Sequence, residues 1–373
     1  MRDVWIAADS IISPLGFTSA DNYKNIQANK TGISLLETST YSNVPVYSGL
    51  IKESFQASEL FTKFESISIL SIKNALAEIQ IDTASPRVIF ILSTTKGNIE
   101  LLENGTSQDQ RIHLHEAGKR IVGHFGSAQK PIIVSNACIS GVMALIVAKR
   151  LLQAGQYDHA IVVGSDILTR FVISGFQCLQ AISHDFCKPF DAQRSGVNLG
   201  EAAATMVLSV NPESIGAERK VKFLGGGLSN DANHISGPSR TGHELAMAVN
   251  HAIQESKIEK KDIDFISAHG TATRYNDEME AKAFNFAGLG HVPLNSLKGY
   301  FGHTLGAAGV LETIVSKHAL IHNELLPTFG FQELGVSEPL HILKRTENKK
   351  ISICLKTASG FGGCNAAIVM NKI

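Results

Sequence analysis

Neither sign of charge is in excess in this chain: 34 lysines and arginines face 34 aspartates and glutamates, for a formal net charge of zero. No overall field therefore draws it to nucleic acid or to an anionic membrane, and only local basic patches are left to recruit a charged partner. Long apolar runs are missing as well. Nothing approaches the roughly 20 uninterrupted residues of a membrane helix, and charges break the short apolar run after Met1, so neither a spanning segment nor a secretion signal is expected. The five cysteines, at positions 138, 178, 187, 354 and 364, have neither the paired spacing of a zinc site nor the density of a disulfide framework. A reducing compartment is the natural reading, and the cytoplasm is expected. No G-x-x-x-x-G-K-S/T loop occurs and Gly225-Gly-Gly227 lacks dinucleotide-fingerprint spacing, so no nucleotide or metal cofactor is expected.

What is present is apolar and glycine-punctuated. The 373 residues are 44% hydrophobic and 18% charged, enough to bury a substantial core in one large domain or two half-domains. Short β-branched runs at 87–92, 131–134, 160–163, 204–208, 264–266, 350–355 and 366–370 read as buried strands. Between them, residues 141–154 set Val142, Leu145, Ile146, Leu151 and Leu152 on a broad helical face, with Gly155 placed to end the helix in a left-handed cap. The class is α/β.

Cys138 lies where the 131–134 run ends and the 141–154 helix begins. Unpaired N–H groups of a first helical turn favour a thiolate and can hold an oxyanion nearby, which suits a nucleophile. Two histidines sit in comparable strand-to-loop contexts, Ala-His269-Gly-Thr-Ala-Thr and Gly-His303-Thr-Leu-Gly-Ala-Ala-Gly. One cysteine is ordinarily a small buried hydrophobe and one histidine an ordinary structural residue. Together they make the Cys/His constellation of covalent thiol chemistry.

Ser-Asn-Ala-Cys138, Lys188-Pro-Phe-Asp-Ala-Gln-Arg194, Ala-His269-Gly-Thr-Ala-Thr, Leu-Lys298-Gly-Tyr-Phe-Gly-His303 and Ser359-Gly-Phe361-Gly-Gly-Cys-Asn365 follow in one order. With these motifs the chain resembles the β-ketoacyl-acyl-carrier-protein synthases along its whole length. The resemblance implies a thiolase-like fold, two similar halves layered α-β-α-β-α, and a faint echo agrees: strand, reactive residue, helix at Cys138, and loop, reactive residue, helix at His303. Val210-Asn-Pro-Glu213 and the polar run to Lys220 mark an expected crossover, giving halves 1–210 and 211–373. Cys138 is implied to carry an acyl chain as a thioester, with the N–H groups of Cys138 and Phe361 as oxyanion hole. His269 and His303 are implied to hold the thioester oxygen of malonyl-carrier protein during decarboxylation. Lys298 and Glu312 are implied as a charged pair orienting these groups, Phe361 as a gate beside the thiol, and Gly362, Thr271 and Thr273 as substrate-binding positions.

The same resemblance implies acyl carrier protein as partner, with Lys63, Lys73, Arg170 and Arg274 as available basic landing residues, and a homodimer or a heterodimer formed through an edge strand of the first half. Ile139, Asn136, Tyr300 and Phe301 depart from the commoner pattern, and the segment 97–131 looks shortened, so an unusual acyl pocket is expected, for fatty acid or for polyene or polyketide elongation. A thiolase shares the fold, and Cys364 invites that comparison, but it follows Gly-Phe-Gly-Gly instead of preceding a glycine cluster. A chain-length-factor subunit is the other alternative, against which Cys138, His269 and His303 all stand.

Overall fold

The computed structural model describes residues 2–52, 60–103, 105, 108–127, 129–215, 220–232 and 234–373. Ten strands build its core: β1 Trp5–Ile12, β2 Val88–Ser93, β3 Ile132–Val134, β4 His159–Asp166, β5 Ala202–Ser209, β6 Val221–Asn230, β7 Phe265–Ser267, β8 Pro293–Asn295, β9 Ile353–Gly360 and β10 Cys364–Lys372. The first five pair in the order β3-β2-β4-β5-β1 and the last five in the order β8-β7-β9-β10-β6. Numbered within its own half, each set therefore reads 3-2-4-5-1. Pairing sense repeats too: β2 is parallel to β3 and β4 as β7 is to β8 and β9, and the remaining ladders are antiparallel. The sets join edge to edge where Trp5 pairs with Lys222 and Phe223 N–H donates to the Val4 carbonyl at 2.9 Å.

Six helices cover these strands: α1 Lys63–Leu76, α2 Leu114–Gly123, α3 Ser140–Gln153, α4 His243–Ser256, α5 Arg274–Phe286 and α6 Ala308–His322. The alternation of each strand sorts its side chains between layers. Ile89 and Ile91 of β2 pack inward with residues of α3 and α6, while Val88, Phe90 and Leu92 face outward to α1 and α2. In the second set Ala366, Ile368 and Met370 face the central helices, and Ala367 and Val369 face α4 and α5. The result is five layers, α-β-α-β-α, as the sequence led one to expect. The seven runs read as strands all fall on strands. β6 was not foreseen, because Gly225-Gly-Gly227 lowers its strand propensity. Here the missing side chains are the requirement, since a Cβ on Gly227 would stand 2.9 Å from the Ala252 nitrogen of α4 and one on Gly226 would stand 2.6 Å from Ile146 of α3.

The central layer places the site. At their N-termini α3 and α6 touch backbone to backbone: a Cβ on Gly141 would lie 2.7 Å from the Val310 nitrogen, and one on Gly309 would lie 2.8 Å from the Gly141 carbonyl carbon. Residues 216–219 of the expected crossover lie outside the described residues, as do 104, 106, 107 and 128 of the segment 97–131. Among the described residues no helix is long and apolar enough to cross a membrane.

This contact generates a prediction. Gly309→Ala improves helix propensity yet inserts a methyl between two backbones that cannot yield, so it should lower unfolding free energy by about 1–3 kcal/mol in urea titration. Gly123→Ala, at the end of α2 with nothing within 4 Å of its Cβ position, should be neutral or stabilising by about 0.5 kcal/mol. Equal effects at both positions would count against a tight helix contact.

Candidate active site

Cys138 follows β3 by four residues and precedes α3. The turn carrying it is strained: Ala137 has φ +44°, a left-handed conformation that costs a residue with a Cβ about 1 kcal/mol or more. Ser140 holds it, its hydroxyl accepting from the Asn136 N–H at 2.8 Å and donating to the Ala137 carbonyl at 2.6 Å. Gly360 closes it from β9, where a Cβ would come within 3.0 Å of the Cys138 nitrogen. His303 stands in the matching place after β8. Its N–H donates to the Asn198 carbonyl at 2.7 Å and its carbonyl accepts from Gly200 N–H at 3.1 Å.

His269 follows β7 by two residues, and two acids in the first turns of α5 hold its loop. Glu280 accepts from the N–H groups of His269 at 2.8 Å and Gly270 at 2.6 Å, and Asp277 accepts from those of Thr271 and Ala272 at 3.0 and 3.2 Å. Gly270 and Ala272 take φ +40° and +61°, so the loop needs these anchors to keep its shape. Burial raises both acids, Asp277 to about 6 and Glu280, also beside Asp277, to about 7.

The three side chains converge. The Cys138 sulfur and ring nitrogens of His269 and His303 lie within 4.8 Å of one another, and the imidazole centroids are 5.2 Å apart and nearly perpendicular. Among the described residues, neither nitrogen of His303 nor Nδ1 of His269 has a hydrogen-bond partner, although both rings are buried. Both histidines line the cavity, where an incoming oxygen can reach these nitrogens.

Behind the histidines lies a buried charged triad. Lys298 Nζ sits 2.5 Å from Glu312 Oε1, and Lys356 of β9 sits 2.6 Å from Glu312 Oε2. Burial opposes ionisation of Glu312, but the two ammonium groups outweigh it and hold the carboxyl below its usual range. Both histidines are pushed well below theirs, first by burial and then by Lys298, with Lys356 adding to each. They are neutral at pH 7. The cysteine departs from expectation: burial, then the nearby Cys364 thiol, pushes Cys138 up to about 12, against the weaker pull of Lys298, Lys96 and the Phe361 N–H. Desolvation outweighs the helix start, and the resting group is a thiol.

A cavity of about 680 Å³ opens onto these atoms, with Cys138, His269, His303, Thr271, Thr273 and Phe361 in its wall. The hydroxyls of Thr271 and Thr273 are 2.9 Å apart. Phe361 is 39% exposed, packs on Phe176 at 5.7 Å, and is followed by Gly362 and Gly363 at φ +84° and +74°. Gly362 is not in the wall. It is a turn residue whose N–H donates to the Ile235 carbonyl at 2.7 Å. Ile139, Asn136, Tyr300 and Phe301 do not line the cavity either; Ile139, Tyr300 and Phe301 fill the core, and the Tyr300 hydroxyl donates to Asn29 at 2.9 Å.

Lys356, Asp277 and Glu280 went unnoticed in the sequence. A lone lysine inside an apolar strand run was the available signal for the first, and paired acids opening a helix after a histidine loop for the others.

The family description for the β-ketoacyl synthase N-terminal domain matches residues 117–213 and that for the C-terminal domain matches 222–332, together more than half of the chain. The 3-oxoacyl-[acyl-carrier-protein] synthase 2 of Vibrio cholerae is 26% identical over 419 aligned residues, spanning 100% of this chain and 99% of the relative. The same-named protein of Staphylococcus aureus is 26% identical over 413, spanning 100% and 98%. Among solved structures, a ketosynthase in complex with its chain length factor from Xenorhabdus doucetiae superposes with a TM-score of 0.91 at 24% identity, covering 100% of this chain and 98% of that one. The ishigamide ketosynthase/chain length factor gives 0.89 at 24%, covering 100% and 99%. The chain belongs to the β-ketoacyl synthase family, a thiolase-like group of acyltransferases.

Thiol reactivity should follow the burial of Cys138. In the free protein, iodoacetamide should label exposed Cys178 before Cys138 at pH 7, and labelling of Cys138, mapped by peptide mass, should keep rising above pH 9. A plateau below pH 8 would mean that a thiolate already resides there.

Proposed function

We propose that this protein is a 3-oxoacyl-[acyl-carrier-protein] synthase that joins an acyl chain held on Cys138 to malonyl-carrier protein with loss of carbon dioxide. The observation that carries the reading is the convergence of one buried thiol and two neutral imidazoles with unpartnered nitrogens at the end of an open cavity.

In the transfer step the Cys138 sulfur bonds to the acyl carbonyl carbon, the bond to the carrier's sulfur breaks, and the thiol proton leaves with the carrier thiol. The unpartnered nitrogens of His303 offer that proton a path. The N–H groups of Cys138 and Phe361 face the developing oxyanion. In the condensing step the malonyl carboxylate departs as carbon dioxide, and the electron pair left behind becomes an enolate whose oxygen accepts hydrogen bonds from His269 and His303. That carbon attacks the acyl-cysteine, the C–S bond breaks, and the thiolate regains a proton. Neutral histidines suit this role, since an enolate needs donors and burial beside Lys298 and Lys356 opposes an imidazolium. Lys298 and Glu312 orient the groups, and Thr271 and Thr273 meet the substrate along the cavity wall.

Acyl carrier protein is the proposed partner. Of the four basic residues considered for its docking, Arg274 lines the cavity mouth, whereas Lys63 is engaged with Glu201 at 2.5 Å. The repeated strand order supports working halves of 1–210 and 211–373. β3 is an edge strand leading directly to Cys138, which supports a dimer through that edge. Pairing with a related subunit is the second reading, supported by the likeness to ketosynthases solved with chain length factors; this chain would then be the partner that retains the nucleophile. Five free thiols support a reducing, cytoplasmic setting.

Incubation with a panel of acyl-carrier proteins should add one acyl mass to the parent and none to Cys138→Ala. His269→Ala should still acylate but lose malonyl decarboxylation by about 10²–10³-fold. A parent that stays unmodified, alone and with a related subunit, would remove the acyl-enzyme from the mechanism.

A further inference from the structure

Lys356 does something the family motifs leave unassigned. It lies in mid-strand on β9, fully buried between Leu355 and Thr357, and is not in the wall of the catalytic cavity. Its Nζ donates to the carbonyls of Thr357 at 2.7 Å and of Ser267 and Ala268, each at 3.3 Å, and meets Glu312 Oε2 at 2.6 Å. Ser267 and Ala268 are the two residues before His269, and Glu312 stands on the helix that follows His303. One ammonium group thus ties the approach to one histidine to the helix behind the other.

A purely structural role explains this poorly. Burying an ammonium group costs several kcal/mol, and Glu312 already has Lys298 as a partner at 2.5 Å. A second lysine leaves two cations on one carboxylate in the driest part of the molecule, where an apolar side chain would be the stabilising choice. Such arrangements persist where charge serves chemistry.

We propose that Lys356 is a positioning residue of the condensing half-reaction, clamping the Ser267 and Ala268 carbonyls to Glu312 and supplying a second cation behind His269 and His303. The inference rests on the ketosynthase reading above. The groups facing the two rings are Lys298 from its turn, Lys356 from β9, Glu312 from α6, Glu280 and Asp277 from α5, and the Cys138 thiol. Lys298 and Lys356 each discourage protonation of both histidines, adding to the effect of burial. Removing it raises the pH at which the histidines take up protons, so activity should fail earlier as the solution is acidified. Cys138 acylation does not use the histidines as paired oxygen donors and should be spared.

The test is Lys356→Met, which leaves the Lys298–Glu312 pair neutral and intact, beside Lys356→Gln, which keeps donors for the carbonyls without the charge. Malonyl-carrier protein decarboxylation is measured across pH 5–9, acylation of Cys138 by intact mass, and folding by thermal melting. Lys356→Met should melt no lower than the parent, lose about 10–100-fold in decarboxylation kcat with little change in KM, move the acid limb to higher pH, and acylate within about threefold of the parent. Lys356→Gln should show the same displaced acid limb with a smaller loss of kcat. An unchanged acid limb in a folded variant, or equal losses in both half-reactions, would overturn the proposal. So would failure of both variants to fold, which would make the residue structural alone. A parent inactive in both half-reactions would instead sink the ketosynthase reading, and this inference with it.

Discussion

Two glycines in contact set the geometry on which everything else depends. Gly141 and Gly309 allow the N-termini of α3 and α6 to meet without side chains between them, so the loop before each helix is delivered to one spot. One loop carries Cys138 and the other His303. With larger residues the helices would separate, the sheets on either side would follow, and a spacing of a few ångströms between thiol and imidazole would be lost. The reacting groups come from distant parts of the sequence, yet their relation is fixed by the most rigid layer of the molecule.

Electrostatics then follows from burial. The layered fold dries the site, and drying together with two lysines sets the resting states: thiol, two neutral imidazoles, and a carboxylate that survives because those lysines surround it. A helix start favours a thiolate, but that effect is worth about 1–2 kcal/mol at most and is weaker than full desolvation of a sulfur anion. The site is arranged for charge that arrives during the reaction. Its histidine nitrogens line the cavity, where a reacting oxygen can meet them.

The legible part of the sequence was that in which backbone geometry demands particular residues. The turn at Cys138, the histidine loops and the glycines around Phe361 are stereotyped because left-handed backbone and close approach admit few substitutes, and strands announce themselves by β-branched runs. What stayed hidden depends on partners far along the chain. Lys356 needs Glu312 to be intelligible, and Asp277 and Glu280 need the His269 loop folded over them. Gly362, Tyr300 and Phe301 stand outside the wall of this cavity, and proximity to a motif does not say which side of the chain faces it.

The repeated topology sharpens the case of Lys356. Register places Gly164 of β4 opposite Ser93, the last residue of β2, and Lys356 of β9 opposite Ser267, the last residue of β7. The two occupy the same place in their respective halves. At Gly164 a Cβ would meet Ala307 at 3.0 Å and Val310 at 3.1 Å, so the start of α6 fills that space and leaves no room for a side chain. In the second half the equivalent space holds a lysine reaching Glu312, one turn further along the same helix. The fold thus presents one position twice, closed by packing on the cysteine side and occupied by charge on the histidine side. Packing alone would have been satisfied by a small or apolar residue in both. In the proposed mechanism the halves differ in their chemistry: one attaches the acyl chain, and the other holds a transient enolate with uncharged donors. The cation appears in the half whose task requires it.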